Sequence, residues 1–138
     1  MIETVIGTRT FSMDDQWAFG RASGDLNPVH VDCEYARRTM FGDVLVHGVH
    51  TLMWALDRYL ADGGGTPVAL RAQFAKPVFL GELVTLTRRE EEGATILTLA
   101  SDGVSLVTAN IGPSLRANAI AHSGSRASWS SEPRFLRH

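Results

Sequence analysis

Cysteine is almost absent from the sequence, because Cys33 is the one cysteine among 138 residues. No disulfide can therefore form within the chain, and an unpaired thiol is typical of a reducing compartment. A chain of this length can still bury a core without a disulfide or a metal. The opening residues "MIETVIGTRTF" lack the apolar core of a signal peptide. We expect a single domain that works in the cytoplasm.

The sequence also lacks a basic excess and a long apolar run. Thirteen Lys and Arg residues stand against fifteen Asp and Glu residues, which gives a formal net charge of −2. Nucleic-acid-binding domains usually have a basic surface, so nucleic acid is not an expected partner. The apolar stretches are interrupted within a few residues, far short of the roughly 20 residues of a membrane-spanning helix. The membrane is not an expected partner either.

The first half of the sequence is typical of helices. The opening segment "ETVIGTRTF" predicts a strand, after which Ser12 predicts a helix cap and Gly24 predicts the end of that helix. The segment "DCEYARRTMF" predicts a second short helix, which Asp32 would cap.

The segment "HGVHTLMWALDRYLAD" predicts the longest helix of the chain. Its apolar residues recur at helical spacing, namely Val49, Leu52, Met53, Leu56 and Leu60. We expect this helix to be buried along most of its length, against a sheet.

The second half of the sequence changes to a period of two, which is typical of strands. Apolar and polar residues alternate from Val68 to Phe74, and three more strand-like segments follow with turn signals at "EEEG" and "SDG". Helices followed by hairpin-linked strands predict an α+β fold, with an antiparallel sheet packed on one long helix. We expect this domain to cover residues 1–115. Residues 116–138 should form an irregular tail, which Trp129 and Phe135 could hold against the domain.

The segment "SGDLNPVHVD" predicts a loop, which places an acid and an imidazole around a proline. Asp25 and His30 could share one water molecule and move protons in both directions. The alternative is a plain Asx-turn at Asp25 or Asn27, with His30 as an incidental surface residue. Both interpretations stay open on the residues alone.

The segment "VHGVH" stands where the long helix begins. Backbone N–H groups at a helix start are unpaired, and Gly48 would let a ligand oxygen approach them closely. The alternative is that Gly48 only permits tight packing. His47 and His50 have a spacing that can bind a metal on a helix, but no third ligand is evident nearby, so no metal is expected.

Taken together, two segments resemble the signature of the MaoC-like, (R)-specific enoyl-CoA hydratase family. They are "ASGDLNPVHVDCEYARRTMFGDVLVHGVHTL" and "FAKPVFLGELV", and the resemblance covers about residues 5–113. It implies a hotdog fold, in which an antiparallel sheet wraps a long helix. It also implies a homodimer or higher homo-oligomer, with a thioester tunnel near the dimer interface.

The resemblance implies a hydro-lyase that hydrates enoyl thioesters and dehydrates (3R)-hydroxyacyl thioesters on CoA or an acyl carrier protein. Asp25 and His30 would be the catalytic pair, Asn27 would orient the loop or bind the pair, and the Gly48 amide would donate to the thioester oxygen. Val49 and His50 are further expected substrate contacts, although a histidine at position 50 departs from the family pattern. No metal, flavin or nicotinamide is required. The alternatives are a hotdog thioesterase and a non-catalytic acyl-thioester-binding subunit.

Overall fold

The computed structural model describes residues 2–112. The predicted tail at 116–138, with Trp129 and Phe135, lies outside the described residues, as do residues 113–115 of the predicted domain. The helices and strands follow in chain order: β1 (Thr4–Thr10), α1 (Met13–Ser23), α2 (Pro28–Val31), α3 (Cys33–Arg37), α4 (Gly48–Ala61), β2 (Ala69–Phe74), β3 (Leu83–Glu91), β4 (Ala94–Ser101) and β5 (Val104–Gly112).

The five strands form one antiparallel sheet in the order β1-β3-β4-β5-β2. Tight turns join β3 to β4 and β4 to β5. In each turn a polar residue and the glycine after it have positive φ, with values of 51° at Glu92 and 49° at Asp102. Two-residue turns of this hand match the twist of the paired strands, and the turn signals at "EEEG" and "SDG" are confirmed.

The core lies between the sheet and α4, as the helix-then-strand order predicts. Alternate residues of β3, β4 and β5 point into this core, and the fully buried members include Val84, Leu86, Leu97 and Leu99. At roughly 25 cal/mol per Å² of apolar surface, this layer is the main source of the fold's stability.

The buried face of α4 differs from the predicted one. The buried residues are Thr51, Ala55 and Tyr59, spaced four apart. Half-exposed are three residues that were expected inside: Val49 (40%), Met53 (54%) and Leu60 (49%). Small side chains at Thr51 and Ala55 let the helix approach the sheet, while Leu52 and Leu56 pack at its flank. The prediction of burial along most of the helix is therefore wrong for the single chain.

Two short segments connect the helical half to the sheet. The N–H of Val46 donates to the Val78 oxygen at 2.8 Å, and the N–H of Leu80 donates to the Val44 oxygen at 3.0 Å. An isolated antiparallel bridge pairs Leu45 with Phe79, between these two hydrogen bonds. The segment 44–46, which leads directly into α4, is thus fixed against residues 78–80.

The helix caps follow the sequence closely. Ser12 and Asp15 form a capping box at the start of α1, and Gly24 ends this helix in the left-handed conformation with a φ of 82°. The Asp32 side chain accepts from the Tyr35 N–H and starts α3, as predicted, although α3 ends at Arg37 and is shorter than expected. Within the described part of the chain, no helix has the length and apolar character to cross a membrane.

The segment 28–31 was expected to be loop, but it forms the short helix α2. Pro28 stands at the first helical turn, where its missing N–H costs nothing, and the Asn27 side chain caps it. Asn27 and Pro28 are typical both of a turn and of a helix start. The sequence pattern therefore did not distinguish a loop from a short helix.

Candidate active site

Asp25 and His30 lie side by side. Asp25 follows the C-cap glycine of α1, and His30 lies on α2. Asp25 Oδ2 and His30 Nε2 are 3.7 Å apart, and the two side chains are 40% and 12% exposed. This distance is longer than a direct hydrogen bond, so both polar atoms remain able to bind one water molecule or hydroxyl.

The loop between them contains the Asx-turns that the alternative interpretation named. Asp25 Oδ1 accepts from the Asn27 N–H at 3.3 Å, and Asn27 Oδ1 accepts from the Val29 N–H at 3.1 Å. His30, however, is not a surface residue, because only 12% of its side chain is exposed. The turns are therefore the framework that brings the acid and the imidazole together.

The His30 ring has one orientation-fixing bond. Its Nδ1 lies 2.7 Å from the Leu45 carbonyl oxygen. A carbonyl can only accept, so Nδ1 carries the proton and a neutral His30 has its lone pair on Nε2. That lone pair is on the side of the Asp25 carboxylate, where a proton acceptor would be useful.

Gln16 is a site residue that the sequence did not reveal. Its side chain on α1 is fully buried, and Nε2 donates to the backbone oxygens of His30 and Leu45, both at 2.8 Å. It thereby links α1 to α2 and to the segment 44–46. A glutamine directly after two aspartates, Asp14 and Asp15, looks like a surface residue, so no local signal distinguishes it.

His47 lies against Asp25 and His30 and is 2% exposed. Its Nε2 donates to the Asp25 backbone oxygen at 2.9 Å, and its ring stacks on the His30 ring with centroids 4.0 Å apart. Burial lowers the pKa of His47 below its ordinary value of 6.5, and the charge of a protonated His30 acts in the same direction. The hydrogen bond to the Asp25 backbone raises the pKa but does not offset burial, so the surroundings favour neutral His47.

His50 lies one turn further into α4 and packs among aromatic rings. Its imidazole stacks on Phe19 at 4.5 Å and meets Phe11 edge-on at 5.1 Å. Burial lowers the pKa of His50, and the positive charge of Arg9 lowers it further. The contacts of His50 are thus with α1 and the end of β1, and not with Asp25 or His30.

Gly48 is the first residue of α4, directly after His47. A helix start leaves its first N–H groups without intrahelical acceptors, and the helix dipole polarises them positively. The neighbouring Val49 is 40% exposed. The start of α4 therefore follows directly on His47, whose ring stacks on His30; the role of the Gly48 N–H stays a prediction.

Three side chains lie close enough to bind one metal ion, but they differ from the pair His47 and His50 that the sequence suggested. Asp25, His30 and His47 each offer a ligand atom within 4.8 Å of the others, so the fold supplies a third ligand and leaves His50 out. The two rings are stacked at 24° to each other, and His47 Nε2 is bonded to a carbonyl. Ligands of one metal converge on a point, so a bound ion would have to separate these rings.

A surface hollow of about 520 Å³ lies elsewhere on the domain. Its apolar lining includes Phe41, Phe79, Val104 and Leu106, and Lys76 adds a cation. Neither member of the acid–base pair lines it, so the hollow alone does not locate the reacting part of a substrate.

Comparison with known proteins gives the family of the chain. The family model described as "MaoC like domain" matches residues 3–107. The chain is 31% identical over 84 residues to the 3-hydroxybutyryl-CoA dehydratase of Methylorubrum extorquens, covering 59% of this chain and 54% of that protein. It is 33% identical over 82 residues to the (R)-specific enoyl-CoA hydratase of Rhodospirillum rubrum, covering 57% of each chain. The chain thus spans about half the length of these curated relatives.

A solved structure supports the fold. The (R)-hydratase from A. caviae superposes with a TM-score of 0.65 at 23% identity, and the match covers 79% of this chain and 90% of that one. The sheet and its long helix are therefore a hotdog fold, as the resemblance implies. With a family model that matches most of its length, the chain belongs to the MaoC-like domain family.

Proposed function

We propose that this protein is an (R)-specific enoyl-thioester hydratase, which catalyses the reverse dehydration of 3-hydroxyacyl thioesters with the same residues. The observation that carries the proposal is the 3.7 Å separation of Asp25 Oδ2 and His30 Nε2. The names of the similar proteins support the same reaction class.

Hydration adds a hydroxyl group to the β-carbon and a proton to the α-carbon of the enoyl thioester. In the proposed mechanism, a water molecule lies between the two side chains. His30 Nε2 takes one proton as the water oxygen bonds to the β-carbon, and the π electrons move to the thioester oxygen. The Asp25 carboxylate orients the water and stabilises the resulting imidazolium. His30 then returns the proton to the α-carbon, and dehydration runs the steps in reverse.

The thioester oxygen gains negative charge during this reaction, and we assign the Gly48 N–H as its donor. A fixed N–H at such a position contributes roughly 3 kcal/mol to transition-state stabilisation. The group needs no reorganisation, because the helix start holds it in place. No metal or redox cofactor takes part in these steps.

Three residues remain proposed substrate contacts. Asn27 orients the loop through its side-chain oxygen, which leaves its amide nitrogen for the substrate or the catalytic water. Val49 is half-exposed at the start of α4 and suits an apolar acyl chain. His50 packs against Phe11 and Phe19, and we assign it a role in shaping the acyl site.

The proposed substrate carrier is CoA or an acyl carrier protein, and the proposed assembly is a homodimer in the cytoplasm. The half-exposed Met53 and Leu60 on α4 support an assembly, because a second copy could bury them. Light scattering at micromolar concentration should give twice the 15.0 kDa chain mass. A fully active monomer would contradict the dimer.

The decisive experiment follows the absorbance of crotonyl-CoA in its conjugated enoyl-thioester band, with a thiol reagent in a parallel assay. A hydratase removes the absorbance and releases no thiol, and chiral analysis of the product should give the (3R)-hydroxyacyl thioester. Thiol release would indicate the thioesterase alternative. Neither change, with crotonyl-CoA and with a longer analogue, would indicate a non-catalytic binding subunit.

A further inference from the structure

His47 touches every part of the proposed site. Its side chain bonds the Asp25 backbone at 2.9 Å, and its ring covers the His30 ring at 4.0 Å. Its own peptide bond leads into Gly48, and its backbone oxygen accepts from the His50 and Thr51 N–H groups in the first turn of α4. One residue thus joins the acid, the imidazole and the start of the helix.

The core does not need an imidazole at this position. His47 is 2% exposed, and in the described part of the chain its Nδ1 has no hydrogen-bond partner. Burying a polar atom without a partner costs free energy, which an apolar side chain of similar size would avoid. The bond from Nε2 to Asp25 is what distinguishes histidine from such a side chain.

The bond also has a defined donor. A carbonyl oxygen accepts only, so the Nε2 atom of His47 must carry the ring proton. A neutral His47 can make this bond and stack on His30 without adding a positive charge beside it. Burial favours that neutral form.

We propose that His47 is a positioning residue, which holds the Asp25 loop at its working distance from His30 and from the Gly48 N–H. The proposal rests on the hydratase function proposed above. It assigns the effect to the hydrogen bond and treats the stacked ring as support.

Two variants separate these contributions. His47→Gln keeps an N–H donor at about the reach of Nε2, whereas His47→Phe keeps a stacked ring and removes the donor. Because displacing a reacting group by about 1 Å can cost a hundredfold in rate, we expect the Phe variant to lose 10- to 100-fold in kcat. Its KM should stay within threefold, and the Gln variant should stay within about fivefold of the wild-type kcat.

Leu97→Val is the control for destabilisation, since Leu97 is a buried core residue on β4 with 1% exposure. It should lower the melting temperature and leave kcat unchanged when the assay runs well below that temperature. A folded Phe variant with kcat within threefold of wild type would overturn the proposal. So would a Gln variant that is as impaired as the Phe variant.

A second measurement does not depend on turnover, and its first part uses the wild-type protein alone. Nitrogen-15 NMR of the wild-type imidazoles should show His47 protonated on Nε2 and His30 protonated on Nδ1. Amide exchange at Asn27 and Val29, whose N–H groups are bonded within the loop, should be at least tenfold faster in the Phe variant than in the Gln variant. A His47 proton on Nδ1, or equal exchange in both variants, would refute the positioning role even if wild-type activity is present. A wild-type protein without hydratase activity would refute the proposed function and leave these NMR results to be judged by themselves.

Discussion

Replacing Gly48 with proline would remove the proposed oxyanion donor and little else. Gly48 is the first residue of α4, where proline is well tolerated because the N–H has no intrahelical partner. The preceding residue must be extended when proline follows, and His47 already has φ −58° and ψ 123°. The backbone is therefore ready for the substitution.

We expect Gly48→Pro to lower kcat and to raise the free energy of unfolding. Loss of one oxyanion donor costs about 100- to 1000-fold in kcat, which is about 2.7–4 kcal/mol. Replacing glycine with a residue of restricted backbone at a compatible position contributes about 0.4–1 kcal/mol of stability. Gly48→Pro should therefore be folded, at least as stable as wild type and nearly inactive.

The assay is the loss of crotonyl-CoA absorbance, with urea denaturation to measure stability. Gly48→Ala is the matched control, because it adds a Cβ but keeps the N–H, and it should lose less than tenfold in kcat. A stable Gly48→Pro variant with kcat within threefold of wild type would refute the oxyanion assignment. An Ala variant that is as inactive as the Pro variant would show that bulk, and not the donor, causes the loss.

Three other predictions address the acid–base pair, the core and the buried histidines. Asp25→Asn and His30→Ala should each lower kcat by about 10²–10⁴. Because both groups act on one water, the activation free energy lost in the double variant should be less than the sum of the two single losses. A folded Asp25→Asn variant with near wild-type turnover would contradict the mechanism. In urea denaturation, Leu86→Ala should cost about 2–5 kcal/mol, since Leu86 is 1% exposed, whereas Leu83→Ala on the same strand, 61% exposed, should cost about 0.5 kcal/mol; equal losses would mean that the sheet face is assigned wrongly. Because the folded-state pKa values of His47 and His50 lie below 6.5, the unfolded chain binds protons first as the pH falls. The free energy of unfolding should therefore decline as the pH falls below about 6.5. Between pH 7.5 and 5, the melting temperature of His47→Gln should depend less steeply on pH than that of the wild type. Identical slopes would count against a buried, neutral His47.

Local signals were sufficient wherever a few neighbouring residues determine the structure. The two ends of α1 could be predicted at Ser12 and Gly24, because a helix cap depends on hydrogen bonds and a φ value within a few residues. The pair Asp25 and His30 could be proposed because the residues are close in sequence. Glycine-containing turns likewise set the two hairpins without help from the rest of the fold.

Other features depend on contacts that are distant in sequence. Gln16 becomes a site residue only when the segment around Leu45, 29 positions away, folds against it. The predicted face of α4 was wrong because apolar spacing alone does not reveal that the small Thr51 and Ala55 face the sheet. His47 could be paired with His50 on spacing, but only the tertiary structure brings it against Asp25, 22 residues earlier.

The Leu45 carbonyl oxygen holds both Gln16 and His30, and this oxygen belongs to the main chain. Any residue except proline, which would lose the N–H that Leu45 donates to the Val29 oxygen, would present the same atom. A complete scan of substitutions should therefore find position 45 more tolerant of other side chains than position 16. Evolution can thus change the side chain at residue 45 and keep the hydrogen bond that orients the imidazole of His30. A survey that ranks positions by how strictly they keep their amino acid would pass over the atom on which this orientation depends.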